Sequence, residues 1–206
     1  MDLDPTQMSD TDIRKELQAL LPADTPKSFL DLWVYWYSIR YGKVLPDVAD
    51  FDPMRITRLL PDISVFERRK PDELIYRLAG TAIAERMGHD PTGENLVDLT
   101  DPARHTFVTD LFTGIIETPA GAFVRYENTY ASGRKAMVQS FFLPMVGPKK
   151  ESGQEEPSQG FLQRVLSIHH MEAAKEYESE RQRTTVGSDI DKTVWIDIGR
   201  GVPENG

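Results

Sequence analysis

Residues 76–99 change their hydrophobic period at a single glycine, and few chain paths accommodate that change. Up to Gly80, apolar and polar side chains alternate as on a strand, whereas Ala82, Ile83, Arg86 and Met87 recur at the spacing of one helix face. Thr81 offers a capping hydroxyl, Gly88 can end the helix at positive φ, and Asp90, Pro91, Thr92 and Gly93 make a turn. The stretch reads as a strand running directly into a short helix and then a turn.

The flanking sequence has enough apolar content for one domain. With 206 residues and 39% hydrophobic content, the chain can bury a sizeable core and still carry appended segments. No apolar run approaches the ~20 residues of a membrane span, and the N-terminus is acidic where a secretory leader is basic and then apolar. A soluble, cytoplasmic protein with no membrane partner is expected. The absence of cysteine excludes disulfides, thiolate metal sites, cysteine nucleophiles and a flavin–cysteine adduct. A formal net charge of -9 argues against nucleic acid as a partner, because phosphate neutralisation needs a basic surface. Arg68, Arg69 and Lys70 read as a solvated basic turn.

Taken in order, residues 1–8 read as disordered, and Ser9 then opens a helix whose stripe is Ile13, Leu17, Leu20 and Leu21, stopped by Pro22. So short a helix must dock, on its own domain or on a partner. Thr25 as cap and Pro26 in the first turn begin a second helix, with Phe29, Leu32, Trp33, Trp36 and Tyr37 on one broad face that anchors the sheet. Asp50 and Asp52 read as turn and cap residues. Residues 63–68 and 73–79 form a hairpin, in which Arg77 falls among apolar neighbours and is expected to pair with Glu127 or Asp62.

Asp101 and Pro102 open a longer helix carrying Phe107, Leu111, Phe112, Ile115 and Ile116. Two strands then meet at a turn of Ser132 and Gly133, residues 147–159 form a flexible loop, and a last strand follows from Gly160. A polar helical run begins at Met171, and the chain ends in an apolar patch with Trp195, Ile196 and Ile198 that either folds back or meets a partner. The boundaries read 1–27 for the N-terminal tail and helix, 28–170 for the domain, and 171–206 for the C-terminal tail.

Trp33, Val34, Tyr35 and Trp36, then Leu45 and Pro46, then Phe51, Asp52 and Pro53, then Tyr76, Arg77, Leu78, Ala79, Gly80 and Thr81 stand in a distinctive order. That order resembles a PAS domain, and more narrowly a bacterial family of stand-alone, single-domain PAS proteins. The resemblance implies an α+β fold with a five-stranded antiparallel sheet, short helices on one face and the aromatic helix flanking it. It implies sensing or partner binding in signal transduction, not a reaction, and leaves ligand and cofactor open.

The expected ligand-binding concavity, between the long helix and the sheet, draws on Met87, Phe107, Leu111, Ile115, Tyr126, Gln139 and Phe141. The expected partner surface draws on Ile13, Leu17, Leu20, Leu21, Trp195 and Ile198. The four histidines show no zinc-ligand spacing or triad order. His105, at the start of the long helix, is the candidate for a haem ligand, since some PAS sensors carry one on that element. The reading is a non-enzymatic regulator, a homodimer without an appended output domain, that signals through protein contacts of its flanking segments. The alternatives are a ligand-free adaptor with a filled core and, further off, a hydrolase using Asp101, His105 and Asp110.

Overall fold

The computed structural model describes residues 9–130, 135–147, 163–171 and 184–204. The expected disordered N-terminus, the turn at Ser132 and Gly133, the loop after Gly147 and the helical run after Met171 lie outside the described residues.

Helix α1 (Asp10–Leu20) begins at Ser9, whose hydroxyl accepts the Asp12 N–H at 3.3 Å. Ile13, Leu17 and Leu21 are buried against α2 (Lys27–Ser38), and Leu20 stays half exposed. Pro26, with extended ψ, occupies the cap position of α2, so Thr25 is not its cap. Phe29, Leu32, Trp33 and Trp36 are buried on one face of the sheet. Trp33 and Trp36 stack at 5.3 Å, and the buried Trp36 indole N–H donates to the Pro144 carbonyl at 2.9 Å. Large rings bury about 150–250 Å² each, so α2 is pinned by area and oriented by that one bond. In the turns that follow, Asp52 accepts the Met54 N–H at 2.9 Å as expected, while Asp47 caps the preceding turn instead of Asp50.

Six strands form one antiparallel sheet in the order β2-β1-β5-β4-β3-β6. They are β1 (Ile63–Lys70), β2 (Glu73–Ala79), β3 (Ala120–Tyr130), β4 (Lys135–Val146), β5 (Gln163–Met171) and β6 (Thr184–Asp197). The sequence predicts five. The sixth is the apolar end of the chain, which folds back along β3 and places Ile196 and Ile198 in the core beneath α1 and α2. Beyond β6, Asp197 Oδ1 accepts the backbone N–H groups of Gly199, Arg200 and Gly201 at 2.7, 3.0 and 2.9 Å, which turns the chain over the sheet.

On the other face lie α3 (Thr81–Met87), α4 (Leu96–Leu99) and α5 (His105–Glu117). Gly80, not Thr81, holds the cap position of α3, because a Cβ there would stand 2.1 Å from the Leu60 carbonyl oxygen. Gly88 ends α3 at φ 75°, as the sequence predicts. Asp101 accepts the Ala103 N–H at 2.9 Å in a short turn ahead of α5, which therefore starts at His105. Gly114 on α5 is the seat of Trp195: a Cβ at Gly114 would lie 2.6 Å from that indole and 2.9 Å from Pro203.

Two charge assignments change in the fold. Val65 pairs with Leu78 but Phe66 with Tyr76, so Arg77 is the extra residue of a β-bulge and is turned out, exposed. It sits 3.6 Å from Glu67, while Glu127 pairs with Lys135 and Asp62 with Arg86. Arg68 and Arg69 belong to β1 and not to a solvated turn. Arg68 is buried and donates to Glu117 and Thr113 of α5 at 3.0 Å, and Arg69 donates to Glu67 at 2.6 Å. Glu67 and Arg164 are a buried pair, with side chains 7% and 9% exposed. Burial by itself would raise the Glu67 carboxyl, but the Arg69 hydrogen bond and the charges of Arg164, Arg69 and Arg77 outweigh it and hold it below the usual range.

Removing one member of a buried pair costs about 3–5 kcal/mol, while replacing both with apolar groups is often neutral. Arg164→Met is therefore expected to lower stability strongly, Glu67→Met with Arg164→Met to recover much of it, and Arg77→Met to change it by about 1 kcal/mol or less. Urea denaturation of the variants checks the ranking. Gly114→Ala is expected to cost about 1–3 kcal/mol by overpacking and to alter Trp195 fluorescence, read by the same titration.

Candidate functional site

Two adjoining cavities of about 50 Å³ each lie against the sheet, one under α5 and one under α3, both lined by Tyr76, Tyr126 and His169. One continues among Phe66, Leu96, Phe107, Leu111, Phe112 and Phe142 and reaches Ile190 of β6. The other continues toward α3, among Ile83, Arg86, Met87 and Asn128. Strand parity builds this wall. Val124 and Tyr126 of β3, Val138 and Phe142 of β4, and Val165 of β5 all face the same core.

His169 is the polar centre of the wall. Its Nδ1 lies 2.7 Å from Ser140 Oγ and its Nε2 2.9 Å from Ser167 Oγ. Ser140 Oγ is 3.1 Å from the Tyr126 hydroxyl, and Ser167 Oγ donates to the Ser64 carbonyl at 3.3 Å. A carbonyl only accepts, so the one Ser167 proton is committed to Ser64, and His169 Nε2 must be the donor to Ser167. His169 Nδ1 then accepts from Ser140, which leaves Tyr126 to donate to Ser140. Each proton is used once, and the imidazole is neutral. Burial, reinforced by the charge of Arg86, pushes its pKa down to about 3. Burial also raises the Tyr126 and Tyr76 hydroxyls.

Four of the expected ligand residues meet here: Phe107 and Leu111 line the first cavity, Met87 the second and Tyr126 both. Ile115 is fully buried in the same core without lining either cavity. Gln139 and Phe141 do not belong to the site. Tyr126 pairs with Val138 and Arg125 with Gln139, so Gln139 and Phe141 face the opposite way, where Phe141 stacks on Phe29 at 6.1 Å. A turn of only Ser132 and Gly133 would have paired Tyr126 with Gln139. The observed register is one residue away, and one residue exchanges the faces.

Tyr76, Arg86, Ser140, Ser167, His169 and Ile190 were missed. The sequence signal for Ser167 and His169 was their alternation with Val165, which puts a serine and a histidine on the face of a valine. Of the expected partner residues, Ile13, Leu17, Leu21 and Ile198 are buried within their own chain, Trp195 is partly buried on Gly114, and Leu20 is exposed.

The fit to a haem fails: His105 lines neither cavity, its Nε2 stands 3.2 Å from the Thr100 carbonyl, and each cavity holds only a few non-hydrogen atoms. Asp101 is occupied as a cap and Asp110 is exposed, so the structure assembles no site from Asp101, His105 and Asp110. Ser140 and His169 form a close pair, but among the described residues no carboxylate lines either cavity, and so depressed an imidazole is a poor base. Among the described residues no group of three or more His, Asp or Glu is placed to hold a metal, and no helix is long and apolar enough to cross a membrane.

A family model described as PAS domain matches residues 25–162. The chain belongs to the PAS domain family. Solved PAS domains also match. That of a protein from Colwellia psychrerythraea has 11% identity over 57% of this chain and 93% of its own, at a TM-score of 0.39. That of Bordetella pertussis BvgS has 17% identity over 61% and 90%, at 0.36. Comparison with curated proteins gives no match. PAS domains are generally sensory or regulatory modules, and in this PAS chain α1, β5 and β6 lie outside the matched residues.

The neutral His169 makes the PAS core sensitive to pH. An unfolded histidine takes up a proton near pH 6.5, whereas His169 in the fold refuses it until about pH 3. Stability is therefore full above about pH 6.5 and is lost as pH falls toward 3, at up to about 1.4 kcal/mol per pH unit. The loss tied to Glu67 begins only below the usual carboxylate value of 4.5. Denaturant titrations between pH 7 and 5 are expected to show the slope in the wild type and a flatter one in His169→Gln.

Proposed function

We propose that this PAS protein is a non-enzymatic bacterial sensor in the cytoplasm that binds a small molecule between α5 and the sheet and signals to a protein partner. The observation that carries this reading is the position of β6. Ile190 lines a cavity that α5 also lines, and Trp195 of the same strand seats on Gly114 of α5. An occupant that moved α5 by a fraction of an ångström would press on β6, and α1 packs beside β6 on the outer face. Signalling then requires an occupant that binds one arrangement of α1 and β6 more tightly than another. The homodimer belongs to this proposal, with the flanking segments as its contact.

The small size of the cavities favours a second reading, an adaptor whose core is nearly filled and whose flanks bind a partner without any ligand. Native mass spectrometry of freshly purified protein beside a denatured control separates the two. The sensor reading expects a mass surplus that disappears on denaturation, and a dimer. A clean polypeptide mass, unchanged after incubation with a small-molecule library, would overturn it in favour of the adaptor.

A further inference from the structure

Of the side-chain hydroxyls that line the two cavities, one stands outside the hydrogen bonds described above. Thr100 donates to the Leu96 carbonyl at 2.8 Å, and the hydroxyls of Tyr126, Ser140 and Ser167 are committed to the His169 relay. The Tyr76 hydroxyl has no hydrogen-bond partner among the described residues, although the residue is only 4% exposed and lines both cavities. A phenol O–H at a cavity wall can donate to an acceptor on a bound molecule. Charge points the same way. Among the described residues Arg86 is the one ionised side chain lining either cavity, and its field reaches Tyr76, Tyr126 and His169. Asp62, which accepts from Arg86 Nη1 at 2.9 Å, lines neither cavity. Nor does Glu94, which is 3.0 Å from His89. A guanidinium beside a phenol O–H suits a carboxylate. The rest of the lining is aromatic and aliphatic.

We infer that the site takes a small monocarboxylate, its carboxylate at Tyr76 and Arg86 and its apolar end among Phe66, Leu111, Phe112 and Phe142. This rests on the sensor reading and names its ligand class. A water-sized sphere needs about 10–15 Å³, so two cavities of about 50 Å³ each together admit a molecule of about seven to ten non-hydrogen atoms. Butyrate falls just below that size and benzoate within it, and butyramide and benzamide match them in shape without the charge.

Calorimetric titration of the full chain with these four probes tests the inference. Butyrate or benzoate is expected to bind at least ten times more tightly than its amide. Tyr76→Phe, which removes a single oxygen, and Arg86→Gln are each expected to weaken carboxylate binding at least tenfold, with near-ultraviolet circular dichroism unchanged. If Arg86→Gln loses its fold, Tyr76→Phe alone decides. Amides binding as tightly as the acids, or a Tyr76→Phe variant binding unchanged, would overturn the carboxylate class while leaving a small-molecule sensor standing. Failure of all four probes beside a co-purified adduct of other chemistry would do the same. Failure of all four with no adduct would overturn both readings.

Discussion

Cover on both faces is the constraint on which the rest of this sheet depends. The aromatic plate of α2 lies on one side and α5 on the other, so each central strand buries consecutive side chains in two separate cores. Register alone then decides which core a residue serves. Phe141 and Phe142 are adjacent and both buried, yet one stacks on Phe29 of α2 and the other meets Phe112 of α5 edge-on at 5.7 Å. The Trp36 bond to Pro144 belongs to the same constraint. The ladder between β3 and β4 stops at Phe142, so a proline two residues on costs no bond to β3, and its carbonyl holds the plate.

Much of the fold was legible in the sequence because its punctuation is local. The change of period at Gly80, the positive-φ stop at Gly88, the Asp52 and Asp101 caps and the aromatic stripe of α2 all depend on residues within a turn or two of one another. What was not legible depends on pairing between distant segments. Gln139 and Phe141 were assigned to the wrong core because apolar residues on both faces of β4 leave parity undetermined, and a single residue in the β3–β4 connection sets it. Arg77 was expected inside because strict alternation puts it there, and a bulge against β1 removes it. The His169 relay needs Ser140 and Ser167 from two strands, so a search for local metal or triad spacing passes over it.

The site is coherent physically because its polar groups are almost fully satisfied among themselves. A relay running from Tyr126 to Ser64 fixes the imidazole in one tautomer, makes it a poor base and leaves the cavities lined by rings and aliphatic groups. Among the described residues the one ionised group at the margin of these cavities, Arg86, depresses His169 further, so the electrostatics of the second cavity and the pH response of the core share a source.

The addition of β6 changes what the sheet presents sideways. Without it β3 would be an edge, and a long, regular edge invites the strand of another molecule. With it the outermost strand is irregular: its register against β3 shifts at Arg125/Tyr126 and again at Glu127/Thr129. Asp189 and Asp191, more than half exposed, stand along it, each already drawn inward to Arg104 or Arg125. Bulges and inward-paired carboxylates make this margin a poor template for further strands, so β6 closes this side of the sheet to extension by another copy of the chain.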